Sequence, residues 1–225
     1  MPEVKTTENK FNSDGFTTEN NVGYVTPTNI TDIGNRYMSA LQSGDRKALA
    51  RLMELYNSRL YSFIYRIIRD TVTVEDIIQE TWIRVYEHRF DYMLTYKFST
   101  YLFTIARRKA LSEIRRRNVR SIMRSLTQKD QSNDMLEDLD FEQNTFVSPD
   151  VFADGKLTAP IVEKALNKIP DHQREIVVLR DVEGFENDEI AEILGWKIPQ
   201  GTIRKRVHDA REAFKKALIK FGYEE

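Results

Sequence analysis

The sequence predicts an all-α protein of two small helical domains joined by a flexible acidic linker. Apolar residues recur at helical spacing over two separate stretches, and a basic segment followed by an acidic one lies between them. The 225 residues, of which 40% are hydrophobic, are enough to build two ordinary cores. We therefore expect a flexible tail at 1–31, a first domain at 32–125, the linker at 126–159 and a second domain at 160–225.

The composition indicates the cellular compartment and limits the chemistry that the chain can perform. Because the chain has no cysteine, it has neither disulfides nor thiolate metal sites. No apolar run is long enough to span a membrane, and the polar start is unlike a signal peptide, so we expect a cytoplasmic protein without membrane insertion. A metal-dependent enzyme using Glu75, Asp76 and Glu80 is the competing reading, but none of the three histidines has ligand spacing with these acids. We expect no cofactor, no metal and no enzymatic activity.

The first domain begins with helices of ordinary amphipathic pattern. A short helix at 32–42 precedes a long one, which Asp45 caps and which ends near Asp70. Thr73 and Asp76 predict a variant capping box that opens the third helix.

The third helix has an apolar face and, opposite to it, an acidic face interrupted by an isoleucine. Such an interruption favours contact with a basic protein partner, although a single exposed isoleucine also occurs on solvated faces. This acidic face consists of Asp76, Gln79, Glu80, Ile83 and Glu87.

The segment Phe98–Arg117 predicts a basic helix with two distinct stripes. One is apolar and suits a core, with Phe98 as its first member. Between Lys97 and Arg124 there are nine Lys or Arg and one acid, Glu113. Rings stack on bases and guanidinium groups neutralise phosphates, so the second stripe suits a nucleic-acid strand. This basic flank consists of Tyr101, Thr104, Arg108, Ser112 and Arg115.

Two irregular segments flank the basic helix. The loop Phe90–Lys97 before it has three aromatic residues and few charges, which is unusual for a solvated loop. After it, eight acidic residues and two lysines between Leu126 and Thr158 predict an extended linker.

The second domain has the pattern of a helix-turn-helix. Four helices are expected, the first near 161–166, the second from Pro170 to Val182, the third from Glu186 to Leu194 and the last from Pro199 to Phe221. The last helix carries basic residues near its N-terminus, as a helix that enters the major groove does.

Several motifs resemble those of bacterial extracytoplasmic-function (ECF) sigma factors, over about Asp45–Arg124 and Pro160–Phe221. Those similar to region 2 of the family are VEDIIQET at 74–81, FSTYL at 98–102, TIAR at 104–107 and IRRR at 114–117. Those similar to region 4 are LNKIP at 166–170, REIVVLR at 174–180, EGF at 183–185, EIAEILG at 189–195 and GTI at 201–203.

The resemblance implies an alternative sigma factor that binds core RNA polymerase, recognises the minus-35 and minus-10 promoter elements and melts DNA. It implies that the acidic face docks on the clamp helices of the largest subunit, that the flap is a second contact, and that the linker runs through the RNA exit path. An anti-sigma factor is a further partner that it suggests.

The resemblance also assigns DNA-contacting residues. The loop at 90–98 would hold a flipped minus-10 base, and the basic flank would hold the non-template strand. The implied minus-10 set is Phe90, Tyr92, Tyr96, Lys97, Phe98, Tyr101, Thr104, Arg108, Ser112 and Arg115. The implied minus-35 set is Thr202, Arg204, Lys205, His208 and Arg211.

The chain departs from the family pattern at two places. Tyr101 stands where the family usually has tryptophan, and Trp196 with Lys197 lengthens the turn before the last helix. Two non-enzymatic alternatives remain. A plain helix-turn-helix repressor leaves the first domain without a purpose, whereas a polymerase-binding regulator that does not melt promoters fits both domains.

Overall fold

The computed structural model describes residues 27–127 and 159–222, and within these ranges all regular structure is helical. This confirms the predicted all-α class. The helices of the first domain are α1 Pro27–Gln42, α2 Lys47–Ile68, α3 Thr71–Glu87 and α4 Phe98–Thr127. Those of the second domain are α5 Ala159–Leu166, α6 Asp171–Val177, α7 Asn187–Leu194 and α8 Gln200–Lys220.

The helix boundaries follow local sequence signals, with two differences from expectation. Asp45 does cap α2, since its carboxylate accepts the Lys47 N–H at 2.9 Å. The capping box predicted at Thr73 is wrong, because α3 begins at Thr71 with Asp70 as its N-cap residue. α1 begins at Pro27, inside the predicted tail, and most of that tail and of the predicted linker lies outside the described residues.

Aromatic residues fill the centre of the first domain. The Phe98 ring is fully buried and lies 5.4 Å from Tyr56 and 6.5 Å from Trp82, between ring centroids. The Trp82 indole donates to the Asn57 side chain at 2.7 Å, which satisfies its polar group. α1 reaches this core through Gly34, where an added Cβ would lie 2.5 Å from the Tyr56 hydroxyl. Packing in this core thus sets how α3 and α4 are oriented relative to α2.

The second domain is held together around a buried arginine. Arg174 on α6 donates to the carbonyls of Leu166 and Ile169 at 2.7 and 3.3 Å, which satisfies acceptors left free at the end of α5. α6 continues as a π-type turn over Val178–Val182, and Gly184 follows with a φ of +74°. These short elements connect α6 to α7, which forms the predicted helix-turn-helix with α8.

The two domains are in contact along α2 and α4. The Phe185 ring of the second domain packs edge-on against Phe103 of α4, with ring centroids 5.0 Å apart. Both side chains are buried, and Arg59 on α2 forms a 2.8 Å ion pair with Glu183 beside them. The contact therefore combines an apolar centre with charged pairs.

Candidate nucleic-acid and protein interfaces

The acidic face of α3 is on the surface. Its five residues are exposed, and Ile83 is 57% exposed although the opposite face of the helix is buried. Glu80 lies 2.8 Å from Lys109 of α4, an exposed pair that contributes little to stability. The face therefore offers carboxylates around an apolar centre, as a protein interface would.

The loop before α4 presents aromatic and apolar side chains to solvent. Phe90 is 65% exposed and Tyr96 54%, and Met93 and Leu94 are also exposed. The Arg89 guanidinium lies 4.3 Å from the centre of the Phe90 ring, which holds the ring by a cation–π contact. Exposed rings next to a basic helix can stack on an unpaired base.

Two amides on α1 hold this loop, and the sequence reading missed both. The Asn35 side chain donates to the Leu94 and Tyr96 carbonyls at 3.2 and 3.0 Å, and it accepts the Phe98 N–H at 2.9 Å. Gln42, two turns further along α1, donates to the Arg89 and Tyr92 carbonyls at 2.7 and 2.8 Å. The available signal was the spacing of these amides, which places both on one face of α1.

The structure corrects the predicted exposure of three minus-10 residues. Tyr92, Phe98 and Thr104 are buried, and their exposed fractions are 6%, 0% and 8%. The Tyr92 hydroxyl lies 2.8 Å from Asn35 Oδ1 and 2.6 Å from the Tyr96 carbonyl, while the Thr104 hydroxyl donates to the Thr100 carbonyl. In this arrangement the three side chains pack and bond within the loop and α4.

The rest of the basic flank is accessible. Arg108, Ser112 and Arg115 are exposed along α4, and Tyr101 is half-buried with its ring 4.9 Å from that of Tyr92. Burial raises the pKa of the Tyr101 hydroxyl above its ordinary value. A neutral ring at the head of a row of guanidinium groups has the composition of a single-strand site.

The turn between α7 and α8 has well-defined caps. Glu186 and Glu189 form a capping box at the start of α7. At its end, Gly195 has a φ of +70°, and the Trp196 N–H donates to the Ala191 carbonyl at 2.7 Å. Such a turn requires glycine at the left-handed position and fixes the direction in which the chain leaves α7.

The predicted minus-35 residues lie on the free side of α8. Thr202, Arg204, Lys205, His208 and Arg211 are all exposed. Arg211 also pairs with Asp181 at 3.0 Å. Of the two additional turn residues, Trp196 is held in place, because its ring lies 4.8 Å from the Arg206 guanidinium. α8 thus presents cations near its N-terminus, as direct base and phosphate readout requires.

Neither a metal-binding cluster nor a membrane span occurs among the described residues. Among the described residues, no group of three or more histidine and acidic side chains could hold a metal ion. In the same parts of the chain, every helix is too short or too polar to cross a lipid bilayer.

Comparison with known proteins agrees with this geometry. The family models that match are sigma-70 region 2, over residues 52–120, and sigma-70 region 4, over residues 160–214. The chain is 30% identical to the ECF RNA polymerase sigma factor SigW of Bacillus subtilis, over 79% of this chain and 92% of SigW. It is 32% identical to the ECF RNA polymerase sigma factor SigE of Mycolicibacterium smegmatis, over 81% of this chain and 67% of SigE.

Two solved structures share the fold. One is CnrH in complex with the cytosolic domain of CnrY, with a TM-score of 0.56, 18% identity and coverage of 84% of this chain and 99% of CnrH. The other is the sigma factor RpoE in complex with the anti-sigma factor NepR from Bartonella quintana, with a TM-score of 0.56, 24% identity and coverage of 79% and 99%.

A basic helical domain followed by a helix-turn-helix defines a DNA-binding regulator of transcription. Together the two family models cover more than half of the chain, and SigW is matched over most of its length. The chain belongs to the ECF sigma factors of the sigma-70 family. It is an alternative sigma factor that acts in promoter recognition and transcription initiation by binding core RNA polymerase and promoter DNA.

Proposed function

We propose how the surfaces of this sigma factor divide that work. The acidic face of α3 binds the clamp helices of core polymerase, the basic flank of α4 with the loop at 90–97 holds the melted minus-10 strand, and α8 reads the minus-35 duplex. The working units are region 2 at 32–125 and region 4 at 160–225, with 126–159 as the connection. The observation that carries the proposal is that an exposed acidic face and an exposed basic flank occupy the same small domain.

The role of the acidic face rests on its charge and its apolar centre. The variant Asp76→Lys with Glu80→Lys should abolish core binding in a pull-down and leave the helix content unchanged, since both side chains are exposed. Glu54→Lys is a matched control, because Glu54 is an equally exposed acid on α2, outside the face. Unaltered affinity in the double variant would refute the docking assignment.

The residues proposed to hold the minus-10 strand are the exposed members of the predicted set together with the half-buried Tyr101. They are Phe90, Tyr96, Lys97, Tyr101, Arg108, Ser112 and Arg115. Arg115→Ala should weaken promoter opening in permanganate footprinting with core polymerase. Arg116→Ala is the control, since Arg116 pairs with Glu113 off this flank. Normal opening with Arg115→Ala would show that this side chain does not hold the strand, and core binding without opening by the wild type would identify a regulator that does not melt DNA.

The proposed contacts of α8 are with the minus-35 element. Arg204 is exposed near the helix N-terminus, and a bidentate contact from arginine to guanine is worth about 1 to 3 kcal/mol of discrimination. Arg204→Ala and Arg211→Ala should each change the minus-35 preference selected from a randomised promoter library. Lys216→Ala, an exposed cation further along α8, should not. Selection of the same element by all variants would overturn the assignment.

We further propose that an anti-sigma factor regulates this protein. The support is that CnrH and the Bartonella quintana RpoE, which share its fold, were solved with CnrY and with the anti-sigma factor NepR. Co-purification of a partner that lowers transcription by the reconstituted polymerase would test this.

A further inference from the structure

The ion pairs between the two domains all have the same polarity. Among the residues that the structure describes, four ion pairs join the two domains, and in each the cation lies on region 2 and the acid on region 4. The pairs are Arg59 with Glu183, Arg66 with Glu163, Lys97 with Glu189 and Arg107 with Glu175. The side chains of the three arginine pairs are less than one-fifth exposed, so these charges are poorly screened by salt.

One of these acids reaches into the proposed strand site. Glu189 Oε1 lies 3.1 Å from the ammonium of Lys97 and 3.0 Å from the hydroxyl of Thr100. An ammonium and a hydroxyl that converge on one anionic oxygen are the groups that bind a backbone phosphate. Glu189 therefore occupies a position in which Lys97 would otherwise contact DNA, and Thr100 becomes a further candidate for strand contact.

Region 4 also contacts residues of α4 that lie outside the flank. Arg107, next to Arg108 in the chain, makes a bidentate pair with Glu175 at 2.6 and 3.0 Å. Phe103, on the same side of α4, is completely buried and packs on Phe185. The acidic face of α3 remains exposed in this arrangement.

We propose that this arrangement is a closed form in which region 4 docks on region 2 and Glu189 takes the place of a strand phosphate. The inference rests on the proposed strand role of the basic flank. Core polymerase can bind the closed form through the exposed acidic face, whereas the minus-10 strand has to displace Glu189. The apparent strand affinity is then the intrinsic affinity reduced by the fraction of open molecules.

The pair between Arg66 and Glu163 gives the cleanest test, because neither residue belongs to a proposed DNA or polymerase surface. Their 2.8 Å contact becomes a repulsion in Arg66→Glu and in Glu163→Arg, and the double variant restores an opposite-charge pair. Burial raises the pKa of Glu183, which is almost fully enclosed, so variants of that pair risk misfolding and are avoided.

The measurement uses the full chain in two ways. Since the chain has no cysteine, spin labels on Lys47→Cys and Lys216→Cys report one distance, across the two domains. Affinity is measured by anisotropy with a fluorescent oligodeoxythymidine strand. We expect one narrow distance in the wild type, a broad distribution in both single variants, and about tenfold tighter strand binding in each. Tenfold corresponds to about 1.4 kcal/mol.

The two single variants separate the closed form from general electrostatics. Arg66→Glu makes the chain more negative and Glu163→Arg makes it more positive, so a long-range charge effect would move the affinities in opposite directions. The proposal requires both to rise and the double variant to return to the wild-type value. If one single variant misfolds, the other single variant and the double variant still test the proposal. A broad distance distribution in the wild-type protein would overturn it.

Glu189→Gln tests the substitution for phosphate. Glutamine retains the capping role at this position of α7 but removes the charge. We expect strand binding several times tighter than wild type, and unchanged affinity would show that Glu189 does not compete with DNA. If the wild-type protein with core polymerase fails to open promoters, the proposed function is wrong, whereas the distances in the DNA-free protein still decide whether the closed form exists.

Discussion

Asn35→Ala tests whether α1 shapes the loop that is proposed to hold the flipped base. One side chain supplies both donors to the carbonyls of Leu94 and Tyr96 and the acceptor for the Phe98 N–H. The Phe98 N–H is a donor in the first turn of α4, where no partner exists within the helix. Removal of the amide therefore affects the loop and the start of the basic helix together.

The cost follows from the individual bonds. The partly buried Phe98 N–H would lose its partner, which costs about 1 to 3 kcal/mol, and each of the two exposed amide bonds contributes about 0.5 kcal/mol. The Tyr92 hydroxyl retains the Tyr96 carbonyl at 2.6 Å and adds little. We expect Asn35→Ala to lower the free energy of unfolding by about 2 to 4 kcal/mol.

Asn35→Asp divides this effect into its two parts. An aspartate keeps the acceptor for the Phe98 N–H and suits a helix N-terminus, but it loses both donors to the loop carbonyls. Hydrogen exchange at amides 90–97 should accelerate in both variants, whereas thermal unfolding should shift strongly only in Asn35→Ala. Arg36→Ala, an exposed neighbour on α1, serves as the control. Loop exchange that is unchanged in Asn35→Ala would refute the reasoning.

Three further outcomes are expected. Gly34→Ala should lower the melting temperature, because the new methyl group would lie 2.5 Å from the Tyr56 hydroxyl, and an unchanged melting curve would contradict the close packing of α1. The pKa of Asp70 is lowered, first by the hydrogen bond from the Thr73 hydroxyl and then by the one from Arg117. The ionised Asp70 therefore stabilises the fold relative to Asp70→Asn above pH 3.8, and this stabilisation is lost as the pH falls below the lowered pKa. Melting curves of both proteins as a function of pH measure the loss. Trp196→Ala should loosen the start of α8 and weaken minus-35 binding in an electrophoretic shift assay, and equal binding would show that the cation–π contact is dispensable.

The periodic features were predictable because one physical rule decides them. Apolar spacing predicted the four helices of each domain, and the acidic face of α3 is exposed because Val74, Ile77 and Val85 bury the other side. Asp45 also capped α2 as expected.

Aromatic residues in the loop and at the start of α4 were harder to assign. Phe98 belonged both to the predicted apolar stripe and to the predicted DNA set, and its side chain is buried in the core. Tyr92 is buried, with its hydroxyl 2.8 Å from Asn35 Oδ1, while Phe90 and Tyr96 in the same eight-residue loop are exposed. Sequence composition does not distinguish a ring that stacks on a base from one that fills a core.

Interactions between distant polar residues were beyond the sequence reading. Asn35 is 63 positions from Phe98, and Arg59 is 124 positions from Glu183. Surface amides and charges of this kind are common on amphipathic helices, so nothing local marks the few that have a partner across the fold.

The support that α1 gives to the loop affects how the protein should be divided for experiments. The match to sigma-70 region 2 begins at residue 52, after both Asn35 and Gln42. A fragment cut at that point would keep every side chain assigned to promoter contact, yet the carbonyls of the loop would lose the amides that hold them. Failure of such a fragment to bind DNA would therefore reflect the loss of these supporting hydrogen bonds and not a wrongly assigned DNA contact.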